Sequence, residues 1–369
     1  MNKVYTLTLT NTENYGALLQ AFALKKYIST IGYDCSVIDY FNPLMSQSQA
    51  TGWRRYRSII WRKTFAKLFR NKERQDRTLL FKKDYLGQNG HCYSSAEELK
   101  CLNSNAYAFI VGSDQVWNPR VNAEDNAYLL DFSDKKKVAY AASFGTNSIP
   151  ESYLQRNREL LSRFSAISIR ESSGVSLLDQ IIGIKAELVC DPVFLLDCDE
   201  WVQNLQLIPP EEQNYVLCYV MPGDKDVVHK ILEVACDLAA RSGLKVVVLG
   251  EKSYKRGNEK IAYDHSCGPK EFMSKLICAK YVVTNSFHGT AFSIIFKKNF
   301  YTVMKREKIG RNTRIDNLLE KVDLKSRVIY SDDALGCIGT DVLDYSQSVT
   351  SLNVYIDHSK VFLGSALAE

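Results

Sequence analysis

The feature that most constrains the fold is a strand, turn and helix order that starts at the first residues and then recurs. KVYTLTLT (3–10) is β-favourable, and NTENYG (11–16) supplies turn residues. ALLQAFALKKYISTIG (17–32) places apolar residues at 18, 19, 22, 24, 27, 28 and 31 and stops at a glycine, which is helical spacing. YDCSVIDYF (33–41) then reads as a short buried strand. A strand joined to the next through a helix must pair with it in parallel, and a parallel sheet needs helices on its faces.

The same order resumes after an insertion of residues 43–104. AYAFIVGSD and KKVAYAASFG read as strands, followed by a helix near 151–164, the strand AISIRE, a helix near 173–182, and AELVCDPVFLL. DCDEWVQNLQLIPPEEQ (197–213), with two adjacent prolines, breaks the composition before a second series. That series runs YVLCYVMPG, helix 224–241, LKVVVLG, a polar loop, helix 269–279, KYVVTNS, helix 288–296, NFYTVM and helix 311–322. The expected fold is α/β, with two doubly wound, Rossmann-like domains, 1–195 and 196–345, facing a cleft. The weakly helical stretch 346–369 is expected to pack back on the first domain.

Composition fits that scheme and removes other classes. The chain has 369 residues, 46% hydrophobic and 24% charged, which suffices for two globular cores. No run of about 18 uncharged apolar residues occurs and the N-terminus lacks a secretory pattern, so a cytoplasmic protein is expected. The cysteines stand singly at 35, 92, 101, 190, 198, 218, 236, 267, 278 and 337, mostly in apolar runs, and read as reduced residues. No CxxC or HExxH spacing points to a metal, and no G-x-G-x-x-G follows a strand, so neither a metal nor a dinucleotide cofactor is expected. The net charge of +5 is local. Residues 53–77 hold ten Lys/Arg against Glu73 and Asp76, so the rest of the chain is slightly acidic.

Ligands of open α/β sheets bind beyond the carboxyl ends of strands, so the strand-ending turns hold the candidate chemistry. In TNSFHGT (284–290), a helix start behind Ser286, Phe287 and Gly289 favours an anion, and His288 is either a proton-transfer group or a hydrogen-bonded core histidine. In SAISIRESSG, Arg170 is either a bidentate anion ligand or the partner of Glu171. In FIVGSDQVWNP, Ser113, Asp114, Gln115 and Trp117 offer hydrogen bonds, a base and a stacking face to a sugar; helix capping explains the first two equally well. Asn14 and Tyr15 close the first strand in the same way. Arg306, Arg311 and Arg314 are solvated charges or further anion ligands.

The ordered set NYGALLQAFAL, VGSDQVWN, YAASFG, SIRESSG, DPVFLL, TNSFHGTAFSIIF and R-x-x-R-I-x-x-L-L resembles the polysaccharide pyruvyl transferase family over residues 5–320, leaving out the basic insertion. The resemblance implies a fold similar to the GT-B glycosyltransferases. It also implies transfer of the enolpyruvyl group of phosphoenolpyruvate to two hydroxyls of a sugar, as in capsule and exopolysaccharide synthesis. His288 then corresponds to the family's catalytic histidine, Ser286, Phe287 and Gly289 to its anion-binding turn, and Arg170 to its SxRE arginine. One departure stands out: where some members carry an arginine before the Phe/Leu-His pair, this chain has Ser286, leaving Arg306, Arg311 or Arg314 as substitutes. Asp114 is the candidate base, and Asn14, Tyr15, Ser113, Gln115 and Trp117 are candidate acceptor ligands.

Two other classes remain open from sequence: a GT-B glycosyltransferase using a nucleotide sugar, and a saccharide-binding protein without turnover. For 53–77 the expected partner is an acidic membrane surface carrying a polyprenyl-diphosphate-linked saccharide, because Trp53, Tyr56, Ile60 and Leu68 form an apolar stripe among the basic residues. A solvated or dimer-forming helix is the competing reading. No nucleic-acid partner is expected.

Overall fold

The computed structural model describes residues 1–41, 72–119, 125–146, 149–208, 214–250, 261–306 and 313–368. The chain divides into two compact units, Met1–Leu195 with Ile356–Glu369, and Leu196–Tyr355.

The first unit contains β1 (Lys3–Leu7), α1 (Tyr15–Thr30), β2 (Asp34–Val37), α2 (Lys72–Phe81), α3 (Ala96–Leu99), β3 (Ala108–Val111), β4 (Lys136–Ala142), α4 (Glu151–Ser162), β5 (Ala166–Ile169), α5 (Ser172–Leu177) and β6 (Glu187–Leu188). Its strands pair in parallel in the order β2-β1-β3-β4-β5-β6. Every residue of β3 is buried, as a strand covered on both faces requires. Asn14 starts α1 by accepting the Gly16 and Ala17 N–H groups. The described part of the insertion packs on α1: Phe22, Phe81 and Tyr85 form an aromatic cluster, and Lys25 Nζ donates to Tyr85 O at 2.9 Å. The C-terminal residues of this unit are tied to it by Ser359 Oγ, which accepts the Cys190 N–H at 2.9 Å, and by Tyr107 Oη, which donates to Leu367 O at 2.8 Å.

The second unit contains α6 (Cys198–Leu205), β7 (Tyr215–Tyr219), α7 (Lys225–Ser242), β8 (Lys245–Leu249), β9 (Ile261–Asp264), α8 (Pro269–Cys278), β10 (Tyr281–Thr284), α9 (Phe287–Ile295), β11 (Asn299–Met304), α10 (Thr313–Lys321) and β12 (Val328–Tyr330), with α11 (Ser346–Ala368) running across the division between units. Its parallel order is β12-β11-β10-β7-β8-β9. The two outer strands, β9 and β12, depart from the sequence reading, which has a polar loop before helix 269–279 and nothing after helix 311–322. Both are edge strands, covered less completely than central ones. β9 has no fully buried residue and spans only Ile261–Asp264, too short a run to stand out.

In each sheet the strand order reverses once, between β1 and β3 and between β7 and β10. A reversal sends the adjoining helices to opposite faces and leaves a crevice at the strand ends, which is where open α/β sheets take ligands. VGSD follows β3, and TNSFHG follows β10. The described residues include no helix long and apolar enough to cross a membrane.

Candidate active site

At the carboxyl ends of β3, β4, β5 and β6 the first unit holds a buried polar network. Ser113 follows β3 and donates through Oγ to Asp191 Oδ2 at 2.9 Å, while its carbonyl accepts Thr8 Oγ1 at 2.7 Å. Arg170 follows β5; its side chain is 2% exposed and donates to Asp191 Oδ2 and, at 3.2 Å, to Ser113 Oγ. Burial opposes its charge, but the carboxylates of Asp191, Asp114 and Glu171 outweigh burial and hold its pKa above the ordinary arginine value. Glu171 turns the other way and accepts the Ser143 hydroxyl at 3.0 Å and the Phe144 N–H at 2.7 Å.

This network corrects several expectations. Arg170 is enclosed by Asp191, Ser113 and Asp114 and is not presented to solvent as a donor ligand. Ser113 is fully buried and Tyr15 is 2% exposed, so neither offers a surface to an acceptor. Trp117 is 1% exposed, donates Nε1–H to Tyr128 O at 2.9 Å and packs on Phe144 and Phe164, so its ring face is core and not a sugar platform. The Asn14 side chain is the α1 cap. Gln115 lies against Gly145, where an added Cβ would fall 2.4 Å from Gln115 Cδ; the positive φ of Gly145, +67°, also calls for glycine.

Asp114 has a backbone that departs from the ordinary. Its φ is +71°, it forms an isolated bridge with Ala142, and its Oδ1 accepts the Gln115 N–H at 2.9 Å. Arg170 lies 3.8 Å from the same oxygen. Across the bridge, Ala141 also has positive φ, +51°, and the β4–β5 register shifts there. Left-handed non-glycine residues persist where the surroundings enforce them, and they concentrate at functional sites.

In the second unit, α9 starts immediately beyond β10. Ser286 is its N-cap: Oγ accepts the Gly289 N–H at 3.3 Å, and the Ser286 N–H donates to Thr284 Oγ1 at 3.0 Å. Those two N–H groups therefore serve the chain itself, which corrects their assignment as anion ligands; Phe287 and His288 occupy the first helical turn. Asn285 ties the switch point together, accepting the Met221 N–H at 2.7 Å and donating to Met221 O at 3.0 Å. Gly289 is required for a reason other than ligand approach. An added Cβ would meet Thr284 Oγ1 at 2.6 Å and Tyr219 Cδ1 at 3.1 Å, so what comes close is the neighbouring strand.

His288 is 5% exposed, and its ring meets the Phe287 ring edge to face at 5.2 Å. Of the expected cations, Arg314 on α10 is the one brought to this turn, its guanidinium carbon 6.0 Å from the Phe287 ring centre. Arg306 turns toward β12 instead, stacking on Tyr330 at 4.1 Å and pairing with Asp333 at 2.7 Å. Arg311 lies outside the described residues. Sequence reasoning missed Asp191 and Asn285, the two residues that fix the strand ends. Asp191 carried a signal, since an Asp-Pro pair closes the apolar run AELVC. Among the described residues, no group of three His, Cys, Asp or Glu side chains is placed to hold a metal ion.

The family model described as polysaccharide pyruvyl transferase matches residues 14–304, a span that contains the ends of β3, β4, β5 and β6 and the turn from β10 into α9. The chain belongs to the polysaccharide pyruvyl transferase family. Among solved structures, this family member is similar to the UDP-GlcNAc 2-epimerase of Methanocaldococcus jannaschii in complex with UDP-GlcNAc and UDP, with 13% identity, 97% of this chain and 93% of that chain covered, and a TM-score of 0.50. A second structure of that archaeal epimerase gives 11% identity over 97% and 93% of the two chains with a TM-score of 0.52. A UDP complex of S. aureus MnaA gives 12% over 98% and 91%, also at 0.50. At such identities the likeness concerns the two-sheet, GT-B-type fold alone. No curated protein sequence matches the transferase significantly.

Proposed function

We propose that this transferase moves the enolpyruvyl group of phosphoenolpyruvate onto two hydroxyls of a saccharide, forming a cyclic pyruvate ketal and releasing phosphate during surface polysaccharide synthesis. The observation that carries this reading is His288 in the first turn of α9, at the switch point of the second sheet, inside the matched family span.

The donor is assigned to the second unit. A helix start carries partial positive charge, and Arg314 adds a full one beside it, which suits a ligand with a phosphate and a carboxylate. His288 protonates the donor methylene carbon or assists phosphate departure. Protonation leaves a cationic centre at the carbon bearing phosphate and carboxylate, and one sugar hydroxyl attacks it and loses its proton. The carbon–oxygen bond to phosphate then breaks, and the second hydroxyl attacks the re-formed centre and loses its proton, closing the ring. The acceptor is assigned to the first unit, with Asp114 as the base for a hydroxyl; Arg170 lies 3.8 Å from its Oδ1.

The test is incubation with phosphoenolpyruvate and a panel of lipid-linked and aryl glycosides, following phosphate and the product mass. Replacing His288 by Ala is expected to lower turnover by about 10²–10⁴-fold, the usual worth of a positioned acid or base. Full activity in that variant overturns its role.

We extend the proposal to a lipid-linked acceptor reached at an acidic membrane surface through 53–77. Most of that segment lies outside the described residues; within 72–77, Arg77 pairs with Glu73 at 2.6 Å and Arg74 lies over the Tyr15 ring at 5.0 Å. Support rests on its ten basic residues and interleaved aromatics. Co-sedimentation with vesicles containing acidic lipid, lost on deleting 53–71, is the expected result; equal binding by the deletion refutes it.

A further inference from the structure

Burial of Tyr15, Ser113 and Trp117 leaves the first unit without the sugar platform that the sequence suggests, yet the loop just before α1 borders open space. A cavity of about 540 Å³ lies between residues 11–13, beyond β1, and α2 with Lys82 just after it. Its wall includes Asn11, Thr12, Glu13, Gln75, Leu79 and Lys82. One wall thus belongs to the sheet end at the β1–β3 switch point. The other belongs to the insertion, which the strand-and-helix repeat does not need.

The lining chemistry narrows the occupant. A sugar hydroxyl both donates and accepts, and this wall mixes amides and threonine hydroxyls with one carboxylate and one ammonium. Glu13 brings a carboxylate into the wall beside Lys82, a mixture of acceptor and donor groups that suits hydroxyls better than a phosphate or diphosphate. Glu13 is held in place before any ligand arrives: Arg74 Nε lies 3.7 Å from Oε2, Gln75 Nε2 donates to Oε1 at 3.4 Å, and Arg74 also donates to the Glu13 carbonyl at 3.0 Å. Leu79, 61% exposed, supplies an apolar patch of the kind that meets the carbon face of a sugar ring. The volume falls within the range of about 300–1,000 Å³ typical of small-ligand sites.

We propose that this cavity is a subsite for an uncharged saccharide unit of the acceptor, with the insertion helix setting which sugar is accepted. The assignment rests on the transferase reading above, and the experiment separates the two. The full-length wild type and two variants at partly exposed positions, Gln75→Ala and Lys82→Met, are assayed with phosphoenolpyruvate and p-nitrophenyl hexosides. Binding of the same hexosides and of inorganic phosphate is followed by saturation-transfer NMR. The expected result is a five- to twentyfold rise in acceptor KM in each variant, with kcat and the KM for phosphoenolpyruvate within twofold of wild type, and weakened hexoside binding. An unchanged acceptor KM in both variants, or a donor KM that rises as much as the acceptor KM, overturns the subsite while leaving the transferase reading intact. If the wild type makes no ketal from any hexoside or from the lipid-linked glycosides, the ketal-forming reading falls. The cavity then stands on Gln75-dependent hexoside binding, and falls if inorganic phosphate binds there in its place through Lys82.

Discussion

Asp191→Asn tests the scaffold beneath the acceptor side most directly. In the native unit this fully buried carboxylate accepts the Arg170 guanidinium and the Ser113 hydroxyl through Oδ2 and the Val193 N–H through Oδ1. Asparagine keeps the volume but removes the charge, leaving Arg170 enclosed with the Asp114 carboxylate 3.8 Å away. Breaking one side of a buried pair costs about 3–5 kcal/mol because the other charge stays desolvated. For a unit of about 200 residues, each kcal/mol lowers Tm by roughly 2–4 °C, so a fall of roughly 6–20 °C is expected in thermal unfolding. The companion double variant Arg170→Met/Asp191→Leu, apolar on both sides, should recover most of that loss, since buried pairs often exchange for apolar packing at little cost. A loss below about 1 kcal/mol in Asp191→Asn, or a double variant no more stable than the single one, would refute a charge-paired core at these strand ends.

Lys298 caps the C-terminal end of α8, its ammonium donating to Ile277 O and, at 2.9 Å, to Ala279 O. Lys298→Met should destabilise the second unit by about 1–3 kcal/mol at pH 7, measured in urea, because two helix-end carbonyls lose their donor. Burial lowers the pKa of this lysine to about 8 from 10.5. Between those values the unfolded chain binds more protons than the folded one, so the stability of wild type relative to Lys298→Met should rise as pH goes from about 8 to 10.5. A difference that is flat or falls over that window contradicts the assignment. Gly289→Ala should cost about 1–3 kcal/mol and displace the first turn of α9, since its Cβ would press on Thr284 and Tyr219. Gly364→Ala, with nothing within 4 Å of the added carbon, should instead stabilise α11 by about 0.5–1 kcal/mol, so thermal melts of the two variants should move in opposite directions.

Central strands and long helices were legible because their signals are local: β3, β7 and β10 are contiguous apolar runs, and α1 keeps its apolar spacing from Leu18 to Ile28. His288 was legible for the same reason, as a polar residue at the joint of two apolar elements, and so was Asp114 at the exit of β3. The edge strands β9 and β12 were not, because an edge strand owes its conformation to a neighbour remote in sequence. The roles of Arg170, Ser113, Tyr15 and Trp117 depended on burial, which no spacing reports. Arg170 met Asp191 across 21 positions, and a guanidinium read from sequence as an anion ligand became a scaffold cation. By itself, then, the sequence determined the parallel α/β layers, the two series and the turns that carry the candidate chemistry, since those follow from periodicity and residue type. Tertiary structure alone decided which polar residues at the strand ends are enclosed and which border open space, because enclosure depends on elements far apart in the chain coming together.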